Sequence, residues 1–206
     1  MNERRVSQRG FILVLTLVIL VAMTLLGITL VRSVDTSTLI ANNLSFRQSA
    51  LMSGDRGTEA AIVWLENNKA LLIDDVPASG YYATEQAGTD FTGKLTPGDT
   101  SDDVSWTGAA GSARRAFVVA GTDAAGNRVS YIIHRMCDQT GAYAAGGTIQ
   151  CATSSSTVTT GMSQGSASYG SYAITGKTRI YYRITTRTAG VRNTESFVQT
   201  QVLIEY

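Results

Sequence analysis

The chain of 206 residues begins with a short polar leader that is followed by an unbroken apolar run. The leader covers residues 1–10, and the apolar run extends from Phe11 to Val31. About twenty helical residues, each rising about 1.5 Å, span roughly 30 Å, which is the thickness of the hydrocarbon core of a bilayer. The pattern therefore predicts one transmembrane helix over 11–31.

Helical patterning continues beyond this run, over residues 32–72, which contain no proline. Apolar positions recur there every seven residues, and this spacing favours an amphipathic helix. Gly54 and Gly57 interrupt the pattern, so we expect a kinked or weakened region at these glycines. The predicted apolar stripe consists of Leu44, Leu51, Thr58, Leu65 and Leu72, with Ile40 and Ile62 beside it.

Alternation of apolar and polar residues predicts strands in the second half of the chain. Residues 178–188 and 196–206 alternate and would form one hairpin, while 115–121 and 129–136 flank a turn-rich connection and would form another. Two hairpins packed on the amphipathic end of the helix would form an α+β fold with an antiparallel sheet. The strands would lie within a head over residues 73–206.

Two cysteines, Cys137 and Cys151, stand alone in the sequence. In an oxidising compartment they would pair and close a loop of about 15 residues, which stabilises a fold by roughly 3 kcal/mol. Two free buried thiols are the alternative. A disulfide would tie the long Gly/Ser/Thr-rich loop over 138–176 to the sheet edge.

Few residues in the sequence indicate a catalytic site or a site for a ligand. The formal net charge of +1 gives no reason to expect nucleic-acid binding. We predict no enzyme, no cofactor and no metal site, for three reasons. The acids Asp99, Asp102 and Asp103 lack an EF-hand pattern, the only histidine is His134 in a predicted strand, and no phosphate-binding glycine motif occurs. The tyrosines Tyr169, Tyr172, Tyr181 and Tyr182 suggest sheet packing rather than a ligand platform.

The leader has three alternative interpretations. Its arginines precede the apolar run, so the leader is expected to remain cytoplasmic and everything after Val31 to be exported. A secretory signal peptide has a shorter core and a small-residue cleavage site, whereas a single-pass anchor fits the length well. The third interpretation is a leader cut on the cytoplasmic side before the apolar run, which requires a glycine followed by a hydrophobic residue, as in Arg9-Gly10-Phe11.

Several motifs together resemble the minor type IV pilins of the PilX family. They are Gln8-Arg9-Gly10, Leu25-Leu26-Gly27, Val31-Arg32-Ser33, Ala41-Asn42-Asn43-Leu44, Arg47-Gln48, Thr58-Glu59-Ala60-Ala61, and Tyr182-Arg183-Ile184-Thr185 with Gly190. The resemblance implies a type IV pilin-like fold, with the long N-terminal helix packed on the sheet. It also implies that the prepilin peptidase cuts between Gly10 and Phe11 and that the new amino group of Phe11 is methylated.

Leu15 departs from the major-pilin pattern, in which the fifth mature residue is usually Glu. No acid occurs anywhere between Phe11 and Val31. In major pilins that carboxylate pairs with the N-terminal ammonium of a neighbouring subunit. A subunit without the carboxylate is expected at or near the filament tip, where no subunit lies ahead, or held by side contacts with other minor pilins.

The resemblance implies a structural protein that primes assembly of a type IV pilus. It would reside in the inner membrane as a single-pass protein with a periplasmic head and then at the pilus tip on the cell surface. Implied partners are other minor pilins, the major pilin, the prepilin peptidase, the inner-membrane assembly platform and a tip adhesin, and the loop over 138–176 is a natural contact surface. Two alternatives are a type II secretion pseudopilin at the pseudopilus tip and an unprocessed, anchored periplasmic binding domain. Twitching, adhesion and DNA uptake are open as roles of the filament.

Overall fold

The computed structural model describes residues 9–155 and 178–205 and contains one long helix and a mixed sheet. The helix, α1, extends over Arg9–Asn67. Among the described residues the sheet has six strands: β1 (Tyr81–Tyr82), β2 (Phe117–Val118), β3 (Arg128–Arg135), β4 (Thr153–Ser155), β5 (Thr178–Ala189) and β6 (Glu195–Glu205). The α+β class expected from the sequence is confirmed. The chain divides into two compact units, one up to Phe46 and one from Arg47 onward. The second unit is larger than the head expected over 73–206 because it includes the end of α1, and from here on we call this whole unit the head.

Strand β5 is the centre of the sheet because it has neighbours along both sides. Along one side it pairs with all of β6, from Arg179 opposite Glu205 to Ala189 opposite Glu195. Along the other side, successive stretches of β5 pair with β3 and then with β4, both antiparallel. Strands β3 and β4 therefore act as one interrupted strand, and the residues between them form an excursion from the sheet.

The two predicted hairpins are present, but they are not the whole sheet. Strand β2 pairs with β3, and β5 pairs with β6, as expected. The sequence did not predict β1 and β4, which are two and three residues long. Strand β1 runs parallel to β3, with Tyr81 opposite Ile133, so the sheet is mixed rather than wholly antiparallel. Two or three residues are too few for a readable alternation, which needs about four.

Alternation on the central strands was predicted correctly. On β5, Ile180, Tyr182, Ile184 and Thr186 are buried on one face of the sheet. Ile180, Tyr182 and Ile184 join the helix in the main core, whose other members include Ala61, Leu65, Leu72, Tyr81, Tyr131, Ile133 and Ile204.

The buried stripe of α1 differs from the seven-residue repeat expected from the sequence. Leu44 and Leu51 are exposed, and the residues buried along the head part of α1 are Ala50, Ser53, Gly54, Gly57, Ala61 and Leu65. The expectation failed because it weighted large apolar residues. The helix instead presents small residues to the sheet, at spacings of three and four.

The helix also ends earlier than the expected Leu72. Regular α-helix stops at Asn67, and a short 3-10 turn follows over Lys69–Leu71. Leu72 is nevertheless buried, and its carbonyl accepts hydrogen bonds from the hydroxyl of Tyr81 (2.7 Å) and from Nη1 of Arg135 (3.0 Å). The backbone leaves the helix in order to make these contacts with the sheet.

The second face of the sheet is partly covered by the segment between β1 and β2. A smaller cluster forms there from Tyr82, Val104, Ala116 and Ile132, with Phe91 and Trp106 packed against it. Two hydrogen bonds fix Trp106: its indole donates to the carbonyl of Phe91 (2.9 Å), and its own carbonyl accepts from Ser130 (3.0 Å). The segment between β1 and β2 therefore contributes a second layer to the core.

Candidate functional site

The apolar part of α1 is the first feature that bears on function. Among the described residues it is the one helix long and apolar enough to cross a membrane. Every residue from Phe11 to Ser45 is exposed. The described helix includes residues 9–11, so the bond between Gly10 and Phe11 lies within α1.

Three threonines lie within this apolar segment, and their hydroxyls are satisfied locally. Thr16 donates to the carbonyl of Leu13 (2.9 Å), and Thr24 and Thr29 make the same contact to the carbonyls three residues earlier (2.8 Å each). Such bonds leave no unpaired hydroxyl donor to face hydrocarbon, which is what a membrane-spanning helix requires.

Within the head, α1 lies close to the sheet at Gly57. A methyl group there would lie 2.5 Å from Cγ1 of Val129 and 3.0 Å from Cγ2 of Thr186. At Gly54 it would lie 3.1 Å from Cγ2 of Val198. The helix continues through both glycines, so their role is close packing rather than the kink expected from the sequence.

A polar cluster joins the same part of α1 to the connection between β2 and β3. The Asp123 carboxylate accepts hydrogen bonds from the hydroxyl of Ser53 and from Nδ2 of Asn127 (2.8 Å). Asn127 also donates to Ser49 (3.0 Å) and Ser53 (2.9 Å). The hydrogen bond from Ser53, assisted by those from Asn127 and Ala125, lowers the pKa of Asp123 to about 2.

Sequence reasoning missed this cluster. It recognised the residues around Asp123 and Asn127 as a turn but assigned them no partner. Ser49 and Ser53 are four residues apart, on one face of the helix, and this spacing is the signal that could have indicated a polar contact with a neighbouring element.

Arg135 at the end of β3 is a second feature that the sequence did not reveal. Its side chain is fully buried and donates to three backbone carbonyls: Ala83 (2.9 Å), Leu72 (3.0 Å) and Gln139 (3.0 Å). A buried cation is tolerated when its donors are satisfied in this way. Arg135 thereby connects the exit of the helix, the strand β1 region and the excursion after β3.

The excursion between β3 and β4 is closed at its base by the disulfide between Cys137 and Cys151. Two hydrogen bonds beside it, Asp138 N to the Gln150 carbonyl (2.9 Å) and Gln150 N to the Asp138 carboxylate (2.8 Å), close the same neck. The loop expected over 138–176 thus contains β4 and splits into residues 138–150 and a part from 156 to 177 that lies outside the described residues.

His134 lies on the second face of the sheet and is fully buried. Its ring stacks on Tyr82, with centroids 5.6 Å apart, and meets the ring of Phe91 edge-on at 5.8 Å. Neither ring nitrogen has a hydrogen-bond partner among the described residues. Burial, aided by the charges of Arg183 and Arg114, lowers the pKa of His134 to about 3, so the ring is neutral and part of the core.

The acidic residues named from the sequence are engaged in local hydrogen bonds. Asp99 accepts from the amide (2.9 Å) and hydroxyl (2.6 Å) of Ser101, and Asp102 accepts from Thr96 (2.7 Å). Within the described ranges no group of three or more His, Cys, Asp or Glu residues could hold a metal ion.

The structure also separates the tyrosines that the sequence grouped together. Tyr182 is buried in the main core, whereas its neighbour Tyr181 is half-buried on the opposite face of β5. Tyr169 and Tyr172 lie outside the described residues.

Comparison with known proteins gives one match. Residues 9–59, which form the greater part of α1, match the family model described as PilX N-terminal. No curated protein and no solved structure matches the chain. The matched range includes the apolar segment and the buried residues Ala50, Ser53, Gly54 and Gly57 of α1, and it ends before Ala61 and the head's sheet.

Proposed function

We propose, on the premise that residues 9–59 match the N-terminal family model of PilX, that this protein is a minor type IV pilin that primes pilus assembly and occupies the filament tip. The match supports a structural component of a pilus, a minor pilin, rather than an enzyme. The observation that carries the finer proposal is the composition of the apolar helix: it spans a bilayer's width without one acidic residue.

The first step of the proposed pathway is insertion and cleavage. Arg4, Arg5 and Arg9 hold the leader on the cytoplasmic side while the apolar helix spans the inner membrane and the head lies in the periplasm. The prepilin peptidase cuts after Gly10, and Phe11 becomes the methylated N-terminus. Because α1 is helical from Arg9 onward, the mature chain would begin within a helix.

The second step is entry into the filament. A carboxylate in the bilayer centre costs about 3 kcal/mol on insertion scales, and major pilins offset this by pairing it with the ammonium of a neighbouring subunit. Leu15 makes no such pair, so this subunit has no ionic contact to offer a subunit ahead of it. Such a subunit suits the first position of the fibre, with other minor pilins and a tip adhesin beside it and the major pilin behind it.

The proposal is tested by placing a carboxylate at Leu15. Leu15→Glu is expected to lose incorporation, because at the tip no subunit lies ahead whose ammonium could pair with the new acid. The matched control is Leu17→Glu, which adds the same charge where no pairing is available. A penalty of about 3 kcal/mol corresponds to roughly a 100-fold loss of incorporation. Quantitative immunoblots of sheared filaments measure both variants.

The position of the subunit in the filament is measured separately, by labelling intact filaments with antibodies against the head. Labelling at one end supports the proposal, whereas labelling spread along the shaft contradicts it. Incorporation of Leu15→Glu well above that of Leu17→Glu also counts against it, because it would mean that a subunit ahead pairs with the new acid.

A further inference from the structure

Strand β6 forms a long free edge of the sheet in the described part of the chain. All eleven of its residues pair one-to-one with β5, without a bulge, and no other described strand pairs with β6. The opposite edge is different, because in the described part of the chain it consists of the short strands β1, β2 and β4, of two or three residues each. One edge is therefore short and interrupted, while the other presents a continuous row of backbone groups.

The β6 edge lacks the features that usually keep an exposed edge from pairing. Its sequence, Glu195 to Glu205, contains no proline, lysine or arginine. Soluble proteins blunt such edges with prolines, charged side chains, bulges or very short strands. A straight eleven-residue edge with none of these, other than an acid at each end, is expected where another strand adds to the sheet.

The charges of β6 indicate which kind of strand fits. Its only charged residues, Glu195 and Glu205, stand at the two ends and point to the same face. On that face β5 carries arginines: Arg187 donates to Glu195, and Arg179 lies directly opposite Glu205. Basic and acidic residues thus already alternate across the sheet, and a basic residue at each end of an added strand would continue the alternation.

A second copy of β6 is a poor partner by the same reasoning. If two β6 strands paired antiparallel about Thr200, Glu195 of each copy would lie opposite Glu205 of the other. Parallel pairing in register would place each glutamate opposite its own counterpart. Like charges directly opposite each other destabilise a strand pair, so the two terminal acids oppose self-association.

We propose that the β6 edge binds an extended segment of a different polypeptide, which adds to the sheet as a further strand and carries a basic residue near each end. Backbone hydrogen bonds along the edge provide affinity, and the terminal charges provide selectivity. Toward α1, the added strand would extend the row formed by Val198, Thr200 and Val202. This surface lies wholly within the head and does not depend on the position of the subunit in a filament.

The test uses the full-length protein in detergent micelles and synthetic probes. The first probe is an eleven-residue fluorescent peptide of alternating threonine and valine with a lysine at each end. The second is identical except for a glutamate at each end, and the third has a proline at the centre of the lysine-ended sequence. We expect the lysine-ended peptide to bind at least about tenfold more tightly than either of the others, as measured by fluorescence anisotropy.

The variant Glu195→Lys/Glu205→Lys inverts the charges at both ends of the edge and should invert the preference between the two charged peptides. Amide hydrogen exchange identifies the part of the head to which the peptide binds. Bound peptide should slow exchange across 195–205, where alternate amides exchange rapidly in the free protein, and leave β4 unchanged. Unchanged amide exchange in the variant's β5 shows that its sheet is intact.

Four results would overturn the proposal. They are absence of peptide binding, equal affinity for the two charged peptides, uniform protection of β6 in the free protein, and concentration-dependent protection of β6 without peptide. The last would mean that a second copy occupies the edge.

Discussion

Gly57 determines how closely the N-terminal helix approaches the sheet. A glycine inside a helix normally lowers stability by about 1 kcal/mol relative to alanine. Here the missing side chain leaves room for Val129 and Thr186, whose methyl groups occupy the space that a Cβ would need. Close packing against the sheet therefore favours glycine at this position and outweighs its low helix propensity.

Gly57→Ala should therefore destabilise the head by about 1–2 kcal/mol, since overpacking a tight contact outweighs the gain in propensity. Gly54→Ala is the graded control, because its nearest contact, at 3.1 Å, is less severe and should give a smaller loss. Urea unfolding followed by tryptophan fluorescence measures both. A Gly57→Ala protein as stable as the wild type would show that the helix does not pack as closely as described.

His134 makes the head sensitive to acid. The folded protein holds its pKa near 3, against 6.5 for an ordinary histidine, so below pH 6.5 the unfolded chain binds a proton that the folded chain refuses. The stability contributed by the neutral ring is complete above pH 6.5 and is lost progressively as the pH falls toward 3. The rings of Tyr82 and Phe91 leave the imidazolium no acceptor.

The free energy of unfolding should accordingly fall by about 2 kcal/mol between pH 7.5 and pH 5. His134→Leu, which cannot titrate, should lose most of this dependence, whatever its absolute stability. Urea unfolding at a series of pH values is the measurement. If the free energy of unfolding of the wild-type protein does not change with pH over this range, His134 is not buried in the neutral form as described.

At the scale of elements, the excursion after β3 depends on the disulfide. Strands β3 and β4 pair with the same side of β5, and the chain leaves and rejoins this line at Cys137 and Cys151. Strand β4 has only three residues, so its pairing with β5 requires that the chain return at the right place. The bond between the cysteines fixes that place.

Replacing both cysteines by serine should lower the free energy of unfolding by about 3 kcal/mol, the value for closing a loop of about 15 residues. Hydrogen exchange should accelerate first at Thr153–Ser155, while the pairing of β3 with β5 persists. Wild-type protein treated with dithiothreitol should behave like the double variant, and the variant itself should not respond to the reagent. An unchanged exchange rate in β4 would show that the pairing of β4 with β5 does not depend on the disulfide.

The sequence predicted the elements that carry a long, regular pattern. The apolar run, the continuous helix after it and the alternation on β5 and β6 each extend over ten residues or more, so one misplaced residue does not hide the period. The same reasoning placed the helical stripe incorrectly, because the seven-residue spacing followed Leu44 and Leu51. Periodicity identifies an amphipathic helix, but apart from Leu65 the buried face here consists of glycine, alanine and serine, whose hydropathy is weak.

The features that the sequence did not predict arise from contacts between distant residues. Arg135 is a charged residue in a strand, and only the folded chain brings three carbonyls around it. Ser53 and Asp123 are 70 residues apart, and the pairing of β1 with β3 places Tyr81 opposite Ile133. Such contacts leave no local periodicity, so they become visible only once the elements are assembled.

At the scale of the whole molecule, the chain combines a bilayer-length apolar helix with a head of nearly balanced charge. The helix suits a protein that is first held in a membrane and later packed among other helices, as pilins are. The head, by contrast, is built around its own core, and its residues explain stability rather than catalysis. The proposed function in a pilus therefore rests on α1, from the bond between Gly10 and Phe11 to the acid-free segment that follows it.

The mature N-terminus tests this proposal most directly. Mass spectrometry of the protein purified from membranes should find a chain that begins at Phe11 and carries one methyl group on its amino terminus. That result requires a cut between Gly10 and Phe11 on the cytoplasmic side of an uncleaved apolar helix. An intact Met1, or a chain beginning near Ser33, would contradict the proposed processing and with it the role of the protein in a pilus.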